Sequence, residues 1–314
     1  MSNSAISVYI LTGFLGSGKT TLLNHLLAQK PNERNVVIEN EFGKISIDSM
    51  IVEIKKESIF ELTNGCICCS LDQELEEILL QLMQMDPRPD NLFIEASGVA
   101  DPGSLVALFE DSSLQKIFAL KQLCCVIDAD QVADQIEEVP EIIRQITSSD
   151  LLLVNKKSSV SVSYLKQLEE DLKALNPLAK IVFIDFGKLD FSSLEGSRSL
   201  WTFPKPSKET DGVMRHPFKS FLMEFEKGFD RDLLINQMTI LFFLHYQQIY
   251  RVKGLVYLDS SDSPHLLQSN GSQVSLTSFE LPKNMRISPK SQVVVIGKGV
   301  TRSTLERIFK RACA

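Results

Sequence analysis

The chain has 314 residues, 44% of them apolar and 23% charged, with a formal net charge of −7. That length suggests about two domains of ordinary size, and the composition excludes disordered, collagen-like and coiled-coil architectures. The negative balance and the absence of a dense Lys/Arg tract argue against nucleic acid or an anionic membrane as partner.

No apolar stretch reaches the ~20 residues a bilayer-crossing helix needs. The longest, Ile117 to Val126 and the segment around Thr239 to Leu244, read as core. Met1 to Ala5 lacks the positive start of a secretory signal, so a cytoplasmic location is expected.

In chain order, Ser7 to Leu11 is an apolar, β-branched run that stops at Thr12-Gly13, and apolar residues recur at helical spacing from Lys19 to Leu27. Asn35 to Ile38 predicts a second strand leading into a loop at Asn40 to Gly43. Ile51 to Leu62 offers further strand material, and Leu71 to Met83 an amphipathic helix. Leu92 to Glu95, Leu123 to Ile127, Leu151 to Asn155 and Ile181 to Ile184 are short unbroken apolar runs, separated by helical stretches such as Ser163 to Leu175. Strands buried on both faces have this character, which predicts a mainly parallel α/β sheet. After about Asp190 the chain becomes rich in Ser, Pro, Gly and charge. The expected division is therefore a nucleotide-binding domain over 1–190, a linker over 191–212 and a smaller α+β domain over 213–314. In the last, Phe218 to Phe225, Ile249 to Leu258 and Gln292 to Ile296 read as strands, Arg231 to His245 and Thr301 to Ala312 as helices. Asp259 to Pro264 and Lys283 to Lys290 read as exposed turns.

Gly13-Phe14-Leu15-Gly16-Ser17-Gly18-Lys19-Thr20 fits the phosphate-loop pattern and lies between a strand and a helix, the context that pattern requires. Gly13, Gly16, Ser17 and Gly18 would let backbone N–H groups curl around phosphates, with Lys19 bridging the β and γ phosphates and Thr20 holding Mg²⁺. Thr21 follows at the start of the helix. Glu95, ending an apolar strand, fits the outer carboxylate of a Mg²⁺ site, although strand-end carboxylates are also often merely solvated. Gly98 could then contact the γ phosphate. Asn155-Lys156 begins the N-K-x-D signature for guanine, but its fourth position is Ser158. A hydroxyl there makes fewer and weaker contacts to the base than a carboxylate would.

Cys66, Cys68 and Cys69 crowd too closely for mutual disulfides. Three thiolates can bind Zn²⁺ or another borderline-soft ion and leave a coordination position open, with Glu39 and Glu41 as helpers. Redox-active thiols and buried inert cysteines are the other readings. Cys124-Cys125 lies in an apolar run and Cys313 at an end expected to fray, and all three read as packing. The four histidines, His25, His216, His245 and His265, are scattered.

In their order these segments resemble the CobW-type GTPases, relatives of the nickel-handling HypB and UreG proteins, especially the YjiA-like branch. The resemblance rests on Thr12 to Asn24, Ile38-Glu39-Asn40-Glu41-Phe42-Gly43, Asn64-Gly65-Cys66-Ile67-Cys68-Cys69 and Glu95-Ala96-Ser97-Gly98-Val99-Ala100-Asp101-Pro102. It continues more faintly in Arg251-Val252-Lys253-Gly254 and Val294-Val295-Ile296-Gly297. It implies a P-loop GTPase domain followed by a smaller C-terminal domain, slow hydrolysis of GTP to GDP, and Zn²⁺ or another transition metal at the cysteines. It also implies a metallochaperone or insertase role toward a metal-requiring client protein, with self-association common among relatives. Glu41 and Asp48 fall where the family's switch region should rearrange with the γ phosphate, and either could orient the attacking water. Three features depart from the family pattern: Ser158 in place of Asp, Lys44 where an acid commonly stands, and the missing His-rich tract. A small-molecule kinase with the same phosphate loop, and a non-hydrolytic nucleotide-gated metal sensor or delivery module, are the rival readings.

Overall fold

The computed structural model describes residues 5–39, 59–61, 70–96, 102–110, 113–195, 217–226, 228–245, 248–270, 273–279 and 290–313. The chain divides into two units, one of Met1–Lys166 with Ala179–Leu200 and one of Gln167–Leu178 with Trp201–Ala314. Most of the expected linker lies outside the described residues.

The first unit holds β1 (Ile6–Thr12), α1 (Lys19–Ala28), β2 (Asn35–Glu39), β3 (Ile59–Glu61), α2 (Ser70–Gln84), β4 (Asn91–Glu95), α3 (Gly103–Phe109), β5 (Phe118–Asp128), α4 (Val132–Glu138), α5 (Pro140–Ser148), β6 (Leu151–Asn155) and β7 (Lys180–Phe183). Among the described residues its strands are ordered β3-β2-β4-β1-β5-β6-β7, and every pair in that series is parallel. Side chains alternate across a strand, and here both faces find a core. Val8 and Ile10 of β1 join Val36, Leu92 and Ile94 beneath Leu75, Leu79 and Leu82 of α2 and Leu105 and Phe109 of α3. Tyr9 and Leu11 turn the other way, to Val37, Phe93 and Leu153, against Leu22, Leu23 and Leu26 of α1. That two-sided burial is why these strands show no polar alternation.

α6 (Val162–Leu175) leaves β6, and its second half groups with the second unit. The rest of that unit comprises β8 (Phe218–Phe225), α7 (Arg231–His245), β9 (Ile249–Leu258), β10 (Ser261–Asn270), β11 (Gln273–Ser278), β12 (Ser291–Lys298) and α8 (Arg302–Lys310). Its strands form an antiparallel sheet in the order β11-β10-β9-β12-β8. Met238, Leu241 and Phe242 of α7 and Leu305 and Phe309 of α8 pack with Val252, Val256, Val293 and Val295 in one core.

Two expectations need correction. Ser261 to Pro264 is the start of β10 rather than a turn: Ser261 pairs with Leu258 and, across a register shift, Pro264 with Tyr257. The shift lets a strand carry a proline where it cannot donate to the ladder. Cys313, expected at a frayed end, is instead paired by an antiparallel bridge with Phe229, itself fully buried. Cys124 and Cys125 are free and buried, as expected of packing residues.

Candidate functional site

Parallel strands bring their carboxyl ends to one rim, where α/β sheets bind ligands. This sheet ends almost every described strand in a polar residue at that rim. Glu39 is in register with Glu61 on one side and Glu95 on the other, Leu11 pairs with Glu95, and Asp128 with Asn155. β1 occupies the middle of the sheet, so the loop that follows it starts beside Glu95 and opposite β5.

That loop is built for close backbone approach. Gly18 has φ +102°, and a Cβ there would lie 2.4 Å from Asn155 Nδ2. A Cβ on Gly13 would lie 2.2 Å from the carbonyl oxygen of Val126. Side chains are thus excluded on the inner side of the turn, while Gly16 opens on empty space. Gly18 is also the N-cap of α1, which has no side-chain cap and no acid in its first turn. The first N–H groups of a helix lack intrahelical acceptors, and together with the helix dipole they suit an anion.

The residues around the loop fit a phosphate chain with its Mg²⁺. Ser17 is buried and its Oγ has no hydrogen-bond partner among the described residues; the same is true of Thr12 Oγ1. Lys19, also buried, donates from Nζ to the carbonyls of Gly13 at 2.9 Å and Phe14 at 3.3 Å, which arches its ammonium over the loop. Thr20 Oγ1 donates to Glu95 Oε1 at 2.9 Å. A hydroxyl beside a carboxylate is the oxygen donor set that Mg²⁺ takes from a phosphate-loop protein.

On the far side of β1, the buried Asn155 acts as a staple. Its Nδ2 donates to the carbonyl of Ser17 at 2.9 Å and its Oδ1 accepts from the Gly187 N–H at 3.3 Å. Lys156, at φ +60°, donates from Nζ to Asp128 Oδ2 at 2.6 Å. Ser158 donates from both its backbone N–H and its hydroxyl to Asp185 Oδ1, each at 3.0 Å.

The structure thus brings Gly13, Gly16, Ser17, Gly18, Lys19, Thr20, Thr21, Glu95, Asn155 and Lys156 to one rim. Glu41, Asp48, Cys66, Cys68, Cys69 and Gly98 lie outside the described residues, and Glu39 is placed by its register alone. Among the described residues no group of three metal-ligating side chains forms. Sequence reasoning missed Thr12, Asp128, Asp185 and Gly187. For Thr12 and Asp128 the available signal was a polar residue closing a buried strand; Asp185 and Gly187 follow β7, which closes in Phe183 and gives no such signal.

Comparison with known proteins agrees with this geometry. Residues 7–183 match the model of the CobW/HypB/UreG nucleotide-binding domain, and residues 218–313 that of the cobalamin synthesis protein cobW C-terminal domain. The chain is 30% identical over 273 residues to the zinc chaperone YjiA of Escherichia coli K12, covering 84% of this chain and 85% of that one. It is 34% identical over 194 residues to the zinc-regulated GTPase metalloprotein activator 1 of Schizosaccharomyces pombe, covering 59% of this chain and about half, 47%, of that protein. The crystal structure of Zn(II)-bound YjiA GTPase from E. coli superposes with a TM-score of 0.74 at 23% identity, over 99% of this chain and 100% of that one, a likeness of fold.

Proposed function

The chain belongs to the CobW/HypB/UreG family, and from that premise we propose that it is a GTPase that hydrolyses GTP to GDP and phosphate in order to handle zinc or another transition metal. The observation that carries this reading is the Gly13–Thr20 loop under the uncapped start of α1, with Thr20 Oγ1 2.9 Å from Glu95. Backbone N–H groups of the loop hold the β and γ phosphates, and Lys19 leaves its two carbonyls to neutralise the charge that grows between them. Thr20 and Glu95 would hold Mg²⁺, which would supply positive charge to the phosphate chain. Gly98 contacts the γ phosphate, Glu41 or Asp48 orients the attacking water, and Cys66, Cys68 and Cys69 with Glu39 take the transition metal. Three thiolates and one carboxylate form a site that can release its ion as well as hold it. GTP binding acts through the Glu39–Asp48 segment to change metal affinity, and hydrolysis resets it.

The wider reading is a cytoplasmic metallochaperone that self-associates and serves a metal-requiring client protein. Phosphate release measured for the intact protein and for Lys19→Ala, each with and without Zn²⁺, tests the assignment. The variant should lose at least 100-fold in rate, roughly 2.7 kcal/mol of transition-state stabilisation; equal rates in both proteins would remove the hydrolase. Zinc titration with and without a non-hydrolysable GTP analogue tests the coupling, which requires the two affinities to differ.

A further inference from the structure

Resting on that GTPase reading, we infer that Asp185 is the carboxylate that recognises guanine, in place of the Asp missing from position 158, and that Ser158 positions it. Asp185 stands two residues beyond the end of β7, next to β6 in the sheet. Its Oδ1 accepts from both the N–H and the hydroxyl of Ser158. Carboxylate and hydroxyl are therefore paired, and it is the strand neighbouring Asn155-Lys156 that supplies the acid.

The loop carrying Asp185 is fixed to the phosphate cradle at two points. Gly187 donates to the Asn155 amide that also holds Ser17. Gly187, at φ +65°, approaches α1 so closely that a Cβ would lie 2.7 Å from the backbone nitrogen of Leu22. Asp185 thus sits two residues from a backbone contact with the first turn of α1, the helix that follows the phosphate loop. Phe186 between them adopts φ +53° and is 73% exposed. A left-handed bulky residue is a costly conformation, of the kind that persists where a loop is held in a working shape.

The chemistry selects one base. A carboxylate only accepts hydrogen bonds, through two oxygens. Oδ1 is occupied by Ser158, and Oδ2 has no hydrogen bond to a described residue. Guanine presents two adjacent donors, N1–H and the 2-amino group, whereas adenine presents an acceptor and a C–H at that edge. The Ser158 hydroxyl spends its one O–H on the carboxylate and so positions Asp185.

The test is titration calorimetry with Mg²⁺ and GDP, IDP, XDP or ADP. The proteins are wild type, Lys19→Ala, Asp185→Asn, and the exchange Ser158→Asp with Asp185→Ser. Wild type should prefer GDP over ADP by about 100-fold, and Asp185→Asn should weaken GDP by a similar factor. Asp185→Asn should also strengthen XDP, because an amide N–H can donate to the 2-oxo group that repels a carboxylate. The exchange should restore GDP binding with the pair reversed. Asp185→Asn leaving GDP affinity unchanged, or weakening GDP and ADP alike, overturns the inference while phosphate binding stands. Equal wild-type affinity for GDP and ADP overturns it in the same way. If Asp185→Asn binds no nucleotide, the exchange variant decides: GDP binding supports the pair and its loss overturns it. The parent reading fails separately, and the inference with it, if wild type binds no guanine nucleotide or if Lys19→Ala binds GDP as tightly as wild type.

Discussion

Substituting Gly187 by alanine would place a methyl group 2.7 Å from Leu22 N in a backbone at φ +65°. The atoms it would meet all belong to the backbone of Thr21 and Leu22, so the loop must shift. Gly187→Ala should destabilise the protein by about 2–3 kcal/mol in chemical denaturation and weaken nucleotide binding in parallel; unchanged stability would mean that the approach relaxes freely. Lys156 carries a second residue-scale argument. Asp128 is buried, and its Oδ1 accepts from the Asp130 N–H while Oδ2 takes the Lys156 ammonium. Removing the ammonium with Lys156→Met should cost about 1–2 kcal/mol, the lower part of the range for a lost charged partner because Lys156 is itself partly exposed. Asn155 was legible as a strand-end residue of a base-reading signature. Its use as a staple between Ser17 and Gly187 was not, since neither partner is near it in the chain.

Elements respond to pH and to capping. Burial pushes the Cys124 thiol well above its ordinary value and Cys125, despite the nearby Lys19 charge, up to about 12. In the unfolded chain both thiols ionise near ~8.5. Between that value and 12 the unfolded state releases a proton that the folded Cys125 keeps, so stability is full below the lower value and falls as pH rises. The slope should approach 1.4 kcal/mol per pH unit per thiol, about 2.8 for the two together. Urea melts at pH 8 and pH 10 should show the loss, and a Cys124→Ala/Cys125→Ala variant should lack that slope. At the other end of the chain, Thr301 caps α8 by accepting the Thr304 N–H. Thr301→Ala should lower stability by about 1 kcal/mol, checked in the same melts. The apolar runs announced nearly all the strands of the first unit, because both faces of those strands meet a core. β10 and β11 escaped notice: Ser261 to Pro264 has turn composition, and only pairing with β9 across a register shift makes it strand.

For the molecule as a whole, nucleotide that binds only the folded first unit must raise its melting temperature. At 100 times Kd the gain is about 2.7 kcal/mol, worth roughly 5–10 °C for a unit of this size. Calorimetric scans with saturating Mg²⁺ and GDP should show that rise, and scans of Lys19→Ala should not. The sequence alone determined the parallel sheet, the phosphate loop and the family resemblance, because each is written locally: apolar runs, glycine spacing, and motifs whose residues sit side by side. The cysteine triplet and the Glu41–Asp48 segment remain sequence arguments, lying outside the described residues. Only the tertiary structure decided what completes the rim. Glu95 meets Thr20 across 75 positions, Asn155 meets Ser17 across 138, and Ser158 meets Asp185 across 27. Parallel strands, each joined by a crossover, gather residues from distant parts of the chain at one end of the sheet, so the partner of a missing acid is found by register and not by spacing.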